Sequence, residues 1–292
     1  MSEDTVTDKL ISYPSLSPIS GLYPNPHILL GQTIWWEEKR DGSNIGAYLT
    51  SNDELQFRSR HMEVAGEGLI ASVEKAGYNE QIREFLLDSK YQWNSNDVVF
   101  FELLQKGKSP TKTEYHEADD IAVFDIFASR SGWLNYNGVY QKCYQYKLPV
   151  VRVFGKSSHS TLESLLAFRD DMLALCKTEC REGVVGKVYT GIGKGLLMFK
   201  EKLDMPDLRS IKQHYEDGSP VLPDLPESEI TGAIEKVRID LGDEQFRNVR
   251  IAMPLIVQYI KEESVKHNCA AVKNPYRYYQ LRVEDILQEQ EQ

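Results

Sequence analysis

The chain has 292 residues, a formal charge of −10 from 34 basic and 44 acidic side chains, and 41% hydrophobic and 10% aromatic residues. Single domains run to roughly 100–200 residues, so two domains are expected. There is no apolar run near the ~20 residues of a membrane span and no basic-then-apolar secretory leader. The four scattered cysteines, Cys143, Cys176, Cys180 and Cys269, exclude a disulfide framework, so a soluble, cytoplasmic protein is expected. The acidic balance counts against a broad phosphate-gripping surface, yet a local basic groove can sit on an acidic body.

In chain order, short runs rich in β-branched and aromatic residues predict strands at Ile34–Glu38, Ile45–Leu49, Leu55–Arg60, Val98–Leu103, Ile121–Phe127, Gly183–Val188 and Leu196–Lys200. Helices are expected over Gly68–Leu87 and Leu162–Cys176, the second preceded by a Ser160–Thr161 pair suited to N-capping. Strands and helices do not alternate as βαβ units would, so the expectation is an α+β domain of antiparallel sheets and helices over 1–205. Pro206, Gly218, Pro220, Pro223 and Pro226 mark a linker over 206–226. Helical periodicity over Glu227–Leu241, Glu244–Val265 and Tyr276–Gln288 then predicts a small all-α domain over 227–292 with a frayed tail from Gln288.

The sharpest local feature is Glu37-Glu38-Lys39-Arg40-Asp41-Gly42-Ser43-Asn44, a strand running into a turn that presents a lysine. Alone, such a lysine is more often a solvated surface residue. Lys200 and Lys202 are two apart on a strand and so share a face, which suits either one cleft or a lysine-guarded edge. Glu102 ends an apolar run, where a carboxylate needs a partner. Phe124 has the period of a core residue. Glu182 and Lys187 are five apart, on opposite sides of the pleat unless the strand bulges. Arg60 is the better phosphate candidate, with Arg58 as its rival on the same face.

Taken together, these windows resemble the covalent nucleotidyltransferases, the superfamily of DNA ligases, RNA ligases and mRNA-capping enzymes. Lys39-Arg40-Asp41-Gly42 is similar to the KxDG signature, Arg58-Ser59-Arg60 to the arginine motif, and Phe101-Glu102-Leu103 to the motif of the ribose-binding glutamate. Ile121–Ile126 resembles the strand whose aromatic stacks on the base; Glu182–Lys187 resembles EGxVxK, and Phe199–Lys202 the closing KxK motif. The resemblance covers about Tyr13 to Leu203 and implies a nucleotidyltransferase (ATP-grasp-like ligase) domain. Lys39 is then the nucleophile that carries AMP, and Glu38, Asp41, Asn44, Arg60, Glu102, Phe124, Glu182, Lys200 and Lys202 are nucleotide contacts, with Phe124 on the adenine. Glu182 also becomes the ligand of Mg²⁺, with Mn²⁺ as an alternative. An ordinary lysine, with a pKa near 10.4, is protonated at neutral pH and cannot attack phosphorus. The Lys39 pKa is therefore expected to fall through burial and neighbouring cations.

Asn44 and the helical C-terminal region resemble the phage RNA ligase 2 type in particular, as does the Tyr13-Pro14-Ser15-Leu16 opening. An oligonucleotide-binding barrel would need five strands, which 227–288 does not offer. The implied activity is ATP-dependent joining of RNA 3′-OH and 5′-phosphate ends through lysyl-AMP and adenylylated RNA. Asp41, where the phage type can have histidine, leaves a DNA nick ligase open. A non-catalytic RNA-binding relative and a GTP-using enzyme are further alternatives.

Overall fold

The computed structural model describes residues 11–22, 25–60, 62–111, 113–189, 196–203, 224–267 and 269–290. Among them, nine strands form two antiparallel sheets. The first has the order β7 (Val153–Ser157), β1 (Ile34–Lys39), β8 (Gly183–Tyr189), β9 (Leu196–Lys202). The second runs β3 (Leu55–Ser59), β2 (Ser43–Leu49), β4 (Val98–Leu104), β5 (Asp120–Ala128), β6 (Gly132–Trp133).

Alternate side chains of a strand face opposite ways, and this divides the core into layers. Trp36, Val184, Val188 and Phe199 leave the first sheet on its outer face and pack with Leu165 and Cys176 of α4 (Leu162–Thr178). As expected, Thr161 caps α4, accepting a hydrogen bond from Ser164 N at 3.2 Å. Val99, Phe101, Leu103, Ile121 and Val123 of the second sheet pack outward against α1 (Glu67–Ala76), α2 (Asn79–Trp93) and α3 (Tyr136–Tyr146). Val98 and Phe100 face inward to Tyr13, Leu16 and Met198 between the sheets. β4 is therefore apolar on both faces, as a strand buried between two layers must be. Close backbone approach fixes one glycine: a Cβ on Gly183 would lie 2.0 Å from the Glu201 carbonyl oxygen.

Towards the C-terminus, α5 (Glu227–Leu241), α6 (Asp243–Phe246), α7 (Val249–Lys266) and α8 (Pro275–Gln290) build a second core from Ile234, Val237, Phe246, Ile256, Ile260 and Ile286. They dock on the sheet body through α5, which lies beside α1.

Several expectations are corrected. The single helix over Gly68–Leu87 is two, broken at Gly77, whose φ of +81° ends α1 in the left-handed region. The helix over Glu244–Val265 is also divided, because Asn248 caps α7 by accepting from Arg250 N at 3.2 Å. α3, β6 and β7 went unpredicted: α3 buries only Val139, Cys143 and Tyr146 along a tyrosine-rich sequence, and β7 is a half-buried edge. The tail expected to fray from Gln288 is helical to Gln290. Of the expected linker only 224–226 is described, with Asp224 bridging to Ala270; Pro206, Gly218, Pro220 and Pro223 lie outside the described residues. No helix among the described residues is long and apolar enough to cross a membrane.

Candidate active site

β1 ends at Lys39, and the turn Arg40-Asp41-Gly42 carries the chain into β2 of the other sheet. Lys39 thus sits where the sheets part. Its register partner on β8 is Gly183, so the preceding Glu182 lies beside it and its carboxylate accepts from the Lys39 ammonium. The other oxygen of Glu182 is 2.9 Å from the Lys202 ammonium. Burial works most strongly against the charge on Lys39, but the Glu182 and Glu102 carboxylates together outweigh it, so the Lys39 pKa is raised. That reverses the expected fall: the carboxylate expected to hold a metal serves here as counter-ion to Lys39. Burial likewise opposes ionisation of Glu182, yet Lys202 and Lys39 together hold it far below the usual carboxylate range.

In front of Lys39 opens a cleft whose empty space, counting the open solvent at its mouth, is about 900 Å³. Of the sequence-derived candidates, Glu38, Lys39, Asn44, Arg60, Glu102, Phe124 and Lys200 line it. Asp41, Glu182 and Lys202 do not. Asp41 is consumed by the loop beyond β4, accepting from Ser109 Oγ and from Thr111 N at 3.0 Å. Glu182 stands behind Lys39, and Lys202 is buried between Glu182 and Glu229 of α5, 2.8 Å from the latter. Two lysines on one strand face therefore reach different surroundings, because α5 closes over one of them. Arg58 is spent on Ile11 O and Ser12 Oγ, at 3.1 and 2.7 Å, so of the two rivals it is Arg60 that lines the cleft.

At the aromatic end, Phe124 meets the Tyr13 ring edge-on, with centroids 4.9 Å apart. Beneath them Lys187 is buried between Glu37 at 2.7 Å and Asp125 at 2.9 Å, and donates to the Phe124 carbonyl oxygen at 2.7 Å. Tyr13 Oη donates to Asp125 at 2.6 Å. Burial pushes the Glu37 carboxyl up to about 7 against the pull of Lys187. Lys187 belongs to this buried strut as well as to the cleft wall.

Glu102 projects from β4 into the cleft and has no ion-pair partner among the described residues; burial pushes its carboxyl up to about 7, with Lys39 and Lys236 opposing. Asp41 and Glu182 lie near enough to raise it further. A carboxylate without a counter-ion, as Glu102 offers, is an oxygen donor that hard divalent cations accept, whereas both Glu182 oxygens are held by the Lys39 and Lys202 ammoniums.

The sequence missed the wall contributed by the C-terminal helices. Lys236 and Asp240 of α5 and Tyr259 of α7 line the cleft, Tyr259 donating to Asp240 at 2.7 Å. Glu263 of α7 lies 3.0 Å from Lys200. Burial pushes the Lys200 ammonium down to about 7, Glu263 opposing and Lys202 and Lys266 reinforcing. Nothing in a helical hydrophobic pattern marks such residues, since their role depends on which face docks.

Two antiparallel sheets opening at a strand-end lysine, with carboxylates and further lysines around it, define a nucleotidyltransferase-type ligase domain. The profile of the RNA ligase family matches residues 32–202, and the chain belongs to that family. Among solved structures it is similar to an archaeal ATP-dependent RNA ligase, at 16% identity over 96% of this chain and 64% of that one, with a TM-score of 0.50. A variant of Naegleria gruberi RNA ligase, with ATP and Mn, aligns at 20% identity over 66% of this chain and 55% of that one, with a TM-score of 0.49. A putative ATP-dependent DNA ligase from Aquifex aeolicus aligns at 15% identity over 96% and 66%, with a TM-score of 0.49. The chain thus spans between 55% and 66% of the length of these proteins. No curated protein matches it.

Proposed function

We propose that the chain is an ATP-dependent RNA ligase that joins 3′-OH and 5′-phosphate RNA ends. The observation that carries this reading is Lys39 in the wall of the cleft, ion-paired to Glu182, with Glu102 and Phe124 lining the same cleft. In the first step the Lys39 amine attacks the α-phosphorus of ATP, an N–P bond forms, the bond to the bridging oxygen breaks and pyrophosphate leaves. AMP then passes from Lys39 to the 5′-phosphate of an RNA end. The 3′-OH of the adjoining end attacks that phosphate, closing the strand and expelling AMP.

Each residue has a task that its surroundings explain. Lys39 reacts only as a free amine; burial already favours that form, and the Glu182 contact must loosen for it to prevail. Phe124 and Tyr13 offer an aromatic wall to the base. Arg60 and Lys200 face the phosphates, where fixed positive charge stabilises the developing negative charge most. Glu182, once Lys39 releases it, would hold Mg²⁺ or Mn²⁺, which supplies charge neutralisation at the phosphates, and Glu102 would meet the ribose hydroxyls. We assign 1–205 to adenylation, 206–226 to the connection and 227–292 to a helical domain that helps orient the RNA ends.

Intact mass after incubation with ATP and Mg²⁺ tests the first step. A gain of one AMP, labile to acid, absent in Lys39→Ala and reduced by chelator, is expected; a parallel GTP sample reports base choice. No gain on protein stripped of bound AMP, or a gain that survives in Lys39→Ala, overturns the assignment.

A further inference from the structure

The cleft wall carries six cationic side chains, and four already hold carboxylates. Lys39 is paired with Glu182, Arg40 with Glu114 at 2.8 Å, Lys187 with Glu37 and Asp125, and Lys200 with Glu263. An entering polyphosphate would have to displace an acid from each of these. Arg60 donates to Ser15 Oγ at 2.9 Å and holds no carboxylate among the described residues. Lys236 has neither an ion pair nor a hydrogen bond among the described residues, although it is half-buried and lines the cleft. Carboxyls at Glu102, Glu182 and Asp240 feel its charge, but none is in an ion pair with it, and a partly desolvated ammonium outside any ion pair attracts an anion.

The root of that side chain is fixed. One turn before it along the first half of α5, Gly232 packs near the Thr111 methyl group at 3.7 Å from a would-be Cβ. At the start of the helix Glu229 is tied to Lys202. One turn after it, the Asp240 carbonyl presses on Gly66 so closely that a Cβ there would lie 2.0 Å away. Lys236 lines the same cleft as Lys39 and Glu102, and its charge acts on the carboxyls of Glu102 and Glu182.

From this placement we propose that Lys236 is a phosphate-binding residue of the nucleotide site, contributed by the C-terminal helices and contacting the β- and γ-phosphates that leave as pyrophosphate. The assignment rests on the ATP reading above and extends it, because it makes a helix beyond the family-matched residues 32–202 part of the adenylation site. With the base on the Phe124 wall and the α-phosphorus at Lys39, the remaining phosphates point beyond Lys39, where α5 presents this ammonium. Its charge is not consumed in the reaction; it holds the triphosphate in place and then the departing pyrophosphate.

The test measures AMP adduct formation on the full chain against ATP concentration for wild type, Lys236→Ala and Lys236→Arg, beside sealing of a chemically pre-adenylylated RNA strand that bypasses the triphosphate. Loss of one charge-assisted phosphate contact should raise the KM for ATP about 10- to 100-fold in Lys236→Ala. Pyrophosphate-driven reversal of the adduct should weaken in parallel, Lys236→Arg should recover most of both, and sealing of the pre-adenylylated strand should stay near wild type. Unchanged KM in Lys236→Ala, or an equal fall with the pre-adenylylated strand, overturns the proposal while leaving wild-type adduct formation intact. Failure of the wild type itself to form an adduct would instead remove the ATP reading and this assignment with it. A thermal melt of each variant accompanies the kinetics, and the Arg variant carries the decision if the Ala variant does not fold.

Discussion

Replacing Lys187 with methionine should unfold the sheet body far more readily than its single change of charge suggests. The ammonium lies between Glu37 at 2.7 Å and Asp125 at 2.9 Å, and all three side chains are at most 1% exposed. Methionine fills much of the same volume, so the change removes charge with little loss of packing. What remains is two buried carboxylates with no cation, and breaking a buried pair from one side typically costs about 3–5 kcal/mol. At roughly 2–4 °C per kcal/mol for a body of this size, the melting point should fall by about 6–20 °C. The loss should also depend on pH. Glu37 is already pushed up to about 7 from its ordinary 4.5, so the folded state holds its proton more tightly than the unfolded chain does. Such a group gives up stability as pH rises through that window. Without Lys187 the upward push grows, so the variant should lose more at pH 8 than at pH 5, where protonated carboxyls replace the ion pairs. Thermal unfolding followed by circular dichroism at both pH values measures this. Glu37→Gln provides the opposing case, since it leaves one cation with one carboxylate, and it should sit within about 1 kcal/mol of wild type at pH 8. A Lys187→Met loss below about 1 kcal/mol at pH 8, an equal loss at both pH values, or an equally damaging Glu37→Gln would refute the charge accounting.

Two further outcomes follow from the docking of the C-terminal helices. Gly66 has an ordinary φ of −63°, so Gly66→Ala costs nothing in backbone conformation; its Cβ would nonetheless meet the Asp240 carbonyl oxygen at 2.0 Å. Overpacking of this kind costs about 1–3 kcal/mol, and the expected result is faster hydrogen exchange along α5 with a higher KM for ATP. Unaltered exchange there would show that α5 does not bear on that loop. Asp240 is pushed up to about 6 by burial, the Tyr259 hydrogen bond and Lys236 opposing. Its folded pKa lies above the unfolded value near 3.9, so its carboxylate takes away stability, up to about 3 kcal/mol, as pH rises from about 4 through 6. Asp240→Asn keeps an acceptor for Tyr259 and should shift the urea midpoint upward at pH 7 and hardly at all at pH 4; a pH-independent shift would contradict the burial argument.

The sheet body was largely legible because its strands are short, alternating and separated by turn residues, so that Ile34–Glu38, Val98–Leu103 and Gly183–Val188 fall within a residue or two of β1, β4 and β8. Helix ends were less legible. Gly77 and Asn248 stop or start helices through backbone conformation and capping, and the hydrophobic period continues across both. Site candidates separated in the same way: Lys39 stands out by its turn and motif, while the expectation of a lowered pKa failed because the acid opposite it comes from the residue before β8, 143 residues along the chain.

By itself, the sequence determined the family, the motif residues and the order in which they occur, since each is written in contiguous windows whose local chemistry is readable. Which of them share a surface was decided only by tertiary structure. Lys200 and Lys202 have the same strand face, yet α5 and α7 bring Glu229 and Glu263 onto them and leave Lys200 at the cleft and Lys202 beneath it. Lys236 looks like one solvated lysine among many along α5 and becomes a wall of the cleft only when that helix docks. The reason is physical: ion pairing and desolvation fall off over a few ångströms, so charges far apart in sequence acquire partners, and pKa values, only once packing sets those distances.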